Sequence, residues 1–244
     1  MMFENRKYRT KSIREGLVSF TVTAKETDLH IQATSDLSQT ALKKMLELRG
    51  FVEAYIKIHP EFKTSFVPVK PALTVMPEII MDMIDASKKA GVGPMAAIAG
   101  AIAEHTGKEL LKYSPEVIVE NGGDIFFKTN SDIIFSIFAG KSPLSMKVGA
   151  RITGHNSGSG MALCTSSGTV GHSVSFGKAD AATVIARSCA VADAAATAIG
   201  NIVNDSSDIE NAIEMGKRIK GVMGIVIIKG KRLGAWGELE LVKL

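Results

Sequence analysis

Apolar and polar positions alternate in Leu17-Val18-Ser19-Phe20-Thr21-Val22, within a stretch from Arg9 to Thr34 rich in β-branched residues. Alternation sends every second side chain to one face of a sheet, so this stretch predicts strands. Glu26-Thr27-Asp28 is the expected turn before Leu29-His30-Ile31. The period then changes. Leu37, Ala41, Leu42, Met45 and Leu46 recur at helical spacing behind Asp36, a capping residue, which predicts a helix ending before His59-Pro60. Pro68, Pro71 and Pro77 make residues 66–77 an extended connection and an internal boundary within one domain spanning 1–244. Pro77 suits the first turn of a helix reaching about Ala90. Met95 to Ala103 is apolar on all sides, the mark of a buried helix. Glu116–Glu120, Ile125–Lys128 and Asp132–Ala139 read as strands, the first two joined by Asn121-Gly122-Gly123-Asp124. Ala181–Arg187 reads as a strand and Cys189–Val203 as a helix. Asp208–Lys220 reads as a second helix capped by Asp208, and Gly221–Leu244 supplies two or three closing strands. Strands in neighbouring groups, with helices between the groups, predict an α+β fold.

Composition narrows the classes. With 45% hydrophobic and 22% charged residues the chain is too apolar to be disordered. Two cysteines in 244 residues are too few for a disulfide framework. The +4 net charge is spread along the chain without a basic block, so a nucleic-acid partner is not expected. Met1-Met2-Phe3-Glu4-Asn5-Arg6 has no apolar export segment, and no apolar run approaches about 18 residues. A cytoplasmic protein with no membrane partner is expected. The high apolar content is compatible with self-association into a homo-oligomer. Alanine (27) and glycine (23) together occupy 50 positions, and 30 of these fall within residues 90–107 and 149–200. Segments thinned in this way let backbones or a ligand approach closely.

Those segments carry the candidate chemistry. Gly171 to Ala179 imitates a phosphate-binding loop, but it has one residue too many between its glycines and Ala179 has no hydroxyl for a metal. Asn121-Gly122-Gly123-Asp124 admits two readings: a plain hairpin turn, or a turn whose free N–H groups face a ligand. Cys164-Thr165-Ser166-Ser167-Gly168-Thr169-Val170-Gly171-His172 collects four hydroxyls and a histidine. It reads either as a polar loop or as a place for phosphate or carbonyl oxygens, with His172 available for proton transfer. Cys164 reads as a small buried residue, because nothing beside it stabilises a thiolate. Asp193 and Thr197, at i and i+4 in Ala192-Asp193-Ala194-Ala195-Ala196-Thr197, share one face of an otherwise apolar helix. They either find structural partners or share Mg2+, a cation suited to hard oxygen ligands.

In their order, these motifs resemble the ApbE family, the magnesium-dependent FAD:protein FMN transferases. That family's pattern runs A-K-G-x-x-x-D, G-G-D-I, S-G, histidine, A-D-A-x-x-T. The matching stretches are Ile98 to Glu104, Gly122-Gly123-Asp124-Ile125, Ser167-Gly168, His172 and Ala192 to Thr197. Nearly the whole chain is more similar still to a group of archaeal and bacterial ApbE-like proteins. That closer likeness rests on Gly91-Val92-Gly93-Pro94-Met95-Ala96-Ala97, Val119 to Ile125, Cys164 to Asp180 and Gly234-Ala235-Trp236-Gly237. The resemblance implies a T-fold type of α+β architecture with two related halves. It implies FAD or another nucleotide-like ligand, Mg2+ on Asp193 and Thr197, and a flavin-transfer activity. Gly122, Gly123, Asp124, Thr165, Ser166, Gly168 and Glu104 fall on the cofactor-binding side of the pattern, and Ser167 and His172 on the reacting side. Ala99 stands where the transferases carry lysine, and Glu104 where they carry aspartate. The closer group also implies an alternative, an accessory role in sulfide assimilation and homocysteine formation with Cys164 as the residue of interest. A binding module that has lost transfer chemistry is the third reading.

Overall fold

The computed structural model describes residues 14–71, 75–153, 158–169 and 175–244. β1 (Val18–Ala24) and β2 (Thr27–Ala33) form the first hairpin, in register from Val18 opposite Ala33 to Ala24 opposite Thr27. The turn comes earlier than the sequence predicts, at Lys25-Glu26, with Lys25 at φ 52°. The reason is that the buried alternation of Ala33, Ile31 and Leu29 continues back to Thr27, which is buried and accepts a 2.5 Å hydrogen bond from Arg49 Nη1.

Three helices follow. α1 (Ser38–Ile58) buries Ala41, Met45, Leu48 and Val52, the face its spacing predicts. Asp36 accepts the Ser38 N–H at 2.9 Å, one residue ahead of the cap position, which Leu37 occupies. α2 (Glu61–Thr64) is one short turn that buries Phe62. α3 (Glu78–Ala90) begins directly after Pro77 and closes on Gly91 at φ 71°. A 3-10 turn at Pro94–Ala97 then leads into α4 (Ile98–Leu110), buried from Gly100 to Gly107.

β3 (Val117–Asn121) and β4 (Asp124–Lys128) make the second hairpin. β5 (Ile133–Ser136) and β6 (Val148–Ile152) leave the main sheet, and β7 (Met161–Ser166) and β8 (Ala181–Ala186) return to it. α5 (Cys189–Ile202) follows. The next helix is shorter than expected: α6 covers Ile209–Gly216, after a 3-10 turn at Ser206–Asp208. Asp208 holds the N-cap position of α6, as expected, but makes no side-chain cap bond to it, and Asp205 caps the 3-10 turn. Asp205 takes the Ser207 N–H while the Asp208 side chain reaches back to the Asp205 N–H, a reciprocal capping box. β9 (Val222–Lys229), β10 (Arg232–Gly237) and β11 (Glu240–Lys243) close the chain.

The main sheet has eight strands in the order β1-β2-β3-β4-β7-β8-β9-β10, with every neighbouring pair antiparallel. Each half of that order is a hairpin, a helical excursion and a second hairpin, so the fold is α+β with two halves of like connectivity. Strand residues alternate between two cores. Leu29, Ile31, Val119, Cys164, Val184 and Ile227 face the helices. Ile118, Phe127, Leu163 and Ile185 face the three-stranded sheet β11-β6-β5 on the other side. Among the described residues no helix is long and apolar enough to cross a membrane.

Candidate functional site

α4 of the first half and α5 of the second pack against each other and meet at Gly100. A Cβ built there would lie 2.4 Å from the Cys189 carbonyl oxygen and 2.9 Å from the Asp193 Cβ. This clearance is what the alanine- and glycine-rich sequence of both helices provides. Neither α4 nor the turn before it supplies a side-chain cap, so the first N–H groups of α4 need an acceptor from elsewhere. Asp193 of α5 provides it: its Oδ2 accepts the Gly100 N–H at 2.8 Å. The reverse also holds. Glu104, one turn past Gly100, sends its Oε2 to the N–H of Cys189, the first residue of α5, at 2.7 Å, and to the Ser188 hydroxyl at 3.3 Å. The two helices thus exchange carboxylates, each capping the other.

The exchange is not electrostatically symmetric. Glu104 Oε1 pairs with Lys108 Nζ at 2.8 Å. Asp193 faces a second carboxylate instead, that of Asp124. Loss of hydration, then the Asp124 charge, push the Asp193 carboxyl well above the ordinary carboxylate range, against the opposing pull of the Gly100 and Ala99 N–H groups. A charge balanced as at Glu104 is a structural arrangement. A carboxylate at the crossing whose nearest charged influence is another carboxylate is a place where a cation would be stabilised.

The turn beside Asp193 is tied into the same place. Gly122 and Gly123 take φ 69° and 113°, the left-handed values of a two-residue hairpin turn, with Asn121 opposite Asp124 in register. Asn121 Nδ2 donates to the Ala99 carbonyl at 3.1 Å, anchoring the turn to the start of α4. Asp124 pairs in register with Cys164 of β7, and the Gly123 Cα lies next to the Thr165 carbonyl: a Cβ on it would be 3.7 Å away.

A family model described as "AbpE bacteria" matches residues 10–240. The chain belongs to that family. Its relatives include the UPF0280 protein of Methanococcus aeolicus, 39% identical over 223 residues that make up 89% of this chain and 90% of that one. The UPF0280 protein of Methanocaldococcus jannaschii is 45% identical over 206 residues, 83% and 82% of the two chains. Among solved structures, the Pseudomonas stutzeri flavinyl transferase ApbE in its apo form superposes with TM-score 0.58 at 10% identity, covering 91% of this chain and 94% of that one. The ApbE protein of Thermotoga maritima superposes with TM-score 0.54 at 12% identity, covering 89% and 96%. At such identities these two likenesses establish the ApbE-like fold alone.

Within this AbpE family member only some of the residues singled out from sequence come together. Gly122, Gly123, Asp124, Asp193 and the Thr165 backbone lie about the helix crossing, and Thr197 lies one turn further along α5, Asp193 and Thr197 both being partly exposed. Glu104 is drawn away: its carboxylate is spent on the start of α5 and on Lys108. Thr165 Oγ1 bonds Thr183 Oγ1 at 2.9 Å, and Ser166 ends β7 near Gly200. Ser167 and Gly168 sit on a loop closed by the Gly168 N–H to the Ala179 carbonyl at 2.9 Å and by Ser175 Oγ to the Ser167 carbonyl at 3.2 Å. His172 lies outside the described residues. Cys164 is fully buried. Burial, with the neighbouring Cys189 and the two aspartates, pushes its thiol well above the usual range, so it is no ready nucleophile. The feature missed from sequence is the Gly100 N–H, although Gly100 stands at the glycine of the matched A-K-G stretch.

Glu104→Ala removes the acceptor for the first N–H of α5 and leaves the Cys189 amide buried without it. We expect a loss of about 2 kcal/mol in urea unfolding. A cost no larger than that of removing an exposed glutamate would show that the exchange of caps is not stabilising.

Proposed function

We propose that this chain binds a flavin dinucleotide or a related nucleoside diphosphate together with Mg2+ at the crossing of α4 and α5. One observation carries the reading. Of the two exchanged carboxylates, Glu104 is paired with Lys108, while Asp193 accepts the Gly100 N–H at 2.8 Å with the Asp124 charge acting on it. The donor chemistry fits a hard divalent cation, with the Asp193 carboxylate and the Thr197 hydroxyl on one helix face. Among the described residues no three His, Cys, Asp or Glu side chains form a metal cluster. A site of few protein ligands, completed by ligand phosphates and water, is the arrangement usual for Mg2+. When bound, the cation neutralises diphosphate charge.

The chain's own residues then have distinct tasks. Gly122 and Gly123 bring the turn backbone close to the nucleotide without side chains in the way. Asp124 adds negative charge beside Asp193. Thr165, Ser166 and Gly168 line the approach along β7 and its following loop. In transfer of an FMN group, Ser167 lies on the reacting side and His172 takes the proton. Ala99, where the transferases carry lysine, leaves one less cation for the nucleotide and more of the neutralisation to Mg2+.

Circular-dichroism melts of wild type and Asp193→Ala test this, each with FAD alone, Mg2+ alone and both. At ligand about 100-fold above Kd the expected stabilisation is about 2.7 kcal/mol, a rise in Tm of about 8 °C, in wild type with both additions only. Equal melts under all conditions would overturn the reading. Stabilisation without any FMN transfer to a peptide acceptor would select the binding-module form of it.

A further inference from the structure

Cys164, on β7, and Cys189, first residue of α5, hold their sulfur atoms 3.4 Å apart, 25 residues from each other along the chain. Cys164 Sγ also lies 3.5 Å from the Cys189 carbonyl oxygen. Both side chains are fully buried, and these are the two cysteines of the sequence. Alanine fills the neighbouring positions of both elements, at Ala162, Ala190 and Ala192.

We propose that Cys164 and Cys189 form an oxidation site, at which a small neutral peroxide converts the thiol pair to an intramolecular disulfide. In the first step a thiolate attacks one oxygen of hydrogen peroxide, giving a sulfenic acid and hydroxide, which takes up the thiol proton as water. In the second step the other sulfur attacks the sulfenic sulfur, and its hydroxyl leaves with the remaining proton as a second water. Two thiols and one peroxide thus give one disulfide and two waters. The sulfurs must approach by about 1.4 Å more, a side-chain-scale movement.

The surroundings set the rate and the consequence. Burial is the main cause that raises both thiols, Cys189 to about 11, so the thiolate fraction is small and the reaction is slow. An oxidant of water-like size is the kind that reaches such a pair through local opening. The bond would tie β7, the neighbour of Asp124, to the first turn of α5, one turn before Asp193. Oxidation therefore fastens together the two elements beside the paired carboxylates. The site stands whether or not a nucleotide binds there.

The test is to expose the native protein to hydrogen peroxide, denature it with iodoacetamide present, digest it, and read the state of Cys164 and Cys189 by fragment mass spectrometry, which separates cysteine from methionine oxidation. We expect a loss of 2 Da with no alkyl adducts, full return of two adducts after dithiothreitol, and a monomer on non-reducing gels. Cys164→Ser and Cys189→Ser should never lose 2 Da as monomers. The oxidised wild type should melt about 5 °C higher, since the cross-link closes a long loop in the unfolded chain. Two adducts after peroxide, a disulfide-linked dimer, a gain of 32 Da placed on either cysteine in place of the loss of 2, or a lowered Tm would overturn the proposal. Because the mass readout is taken on wild type, poor folding of a serine variant leaves it decisive.

Discussion

Gly100→Ala is expected to lower the melting temperature by about 8 °C, corresponding to about 3 kcal/mol for a chain of this size. A methyl group there would lie 2.4 Å from the Cys189 carbonyl oxygen and 2.8 Å from its carbon, and neither backbone atom can move without shifting the start of α5. Separating the helices also lengthens the 2.8 Å bond from the Gly100 N–H to Asp193 and the 2.7 Å bond from the Cys189 N–H to Glu104. One added carbon thus strains the packing and both exchanged caps. Gly50→Ala is the natural control, since that position, on α1, has open space around it. There the gain in helix propensity should make the change neutral or slightly stabilising. A Gly100→Ala protein that melts within 2 °C of wild type, on the order of ordinary surface substitutions, would mean that α4 and α5 are not in the contact described.

Asp193→Asn is expected to move stability and binding in opposite directions. The asparagine oxygen can still accept the Gly100 N–H, while the like charge facing Asp124 disappears. The Asp193 carboxyl is raised in the folded protein, first by loss of hydration and then by Asp124. Unfolded, it ionises at the ordinary value of about 3.9. Between that value and the raised folded one, the folded state holds more protons than the unfolded state, so stability falls as pH rises through this window. The contribution is fully present below the unfolded value and is lost above the folded one. Urea unfolding without divalent cation should therefore find Asp193→Asn more stable than wild type by about 1 kcal/mol at pH 7, with no difference near pH 3.5. The same substitution should weaken Mg2+-dependent nucleotide binding by about 100-fold, because a neutral oxygen replaces the charged ligand. An Asp193→Asn protein that is less stable at pH 7 and still binds would remove Asp193 from the proposed metal pair.

Much of this architecture is legible in the residues. Alternation at Leu17 to Val22 marks the first hairpin, helical spacing from Leu37 to Leu46 marks α1, and the double glycine at 122–123 marks a tight turn. These are short-range signals, each carried by neighbours in sequence. The exchange of carboxylates is not of that kind. Asp193 and Glu104 each look like a stray charge on an apolar helix, and only the crossing of α4 and α5, 93 residues apart at the Gly100–Asp193 bond, shows which one has a cation beside it. At the start of α6 the position of Asp208 is legible and the use of its side chain is not. Asp205 and Asp208 are both capping types three residues apart, and the box they form uses both, so composition alone does not tell cap from partner. Cys189 escaped notice because a single buried cysteine is unremarkable until a second one is found 3.4 Å away.

The central claim is that the Asp193 end of the crossing takes a nucleoside diphosphate through Mg2+. Titration of FAD fluorescence with wild type and Asp193→Asn, with Mg2+ and then with EDTA, tests it most directly. We expect saturable quenching by wild type with Mg2+, its loss in EDTA, and about 100-fold weaker quenching by the variant. Quenching that is equal for both proteins, or indifferent to Mg2+, would contradict it.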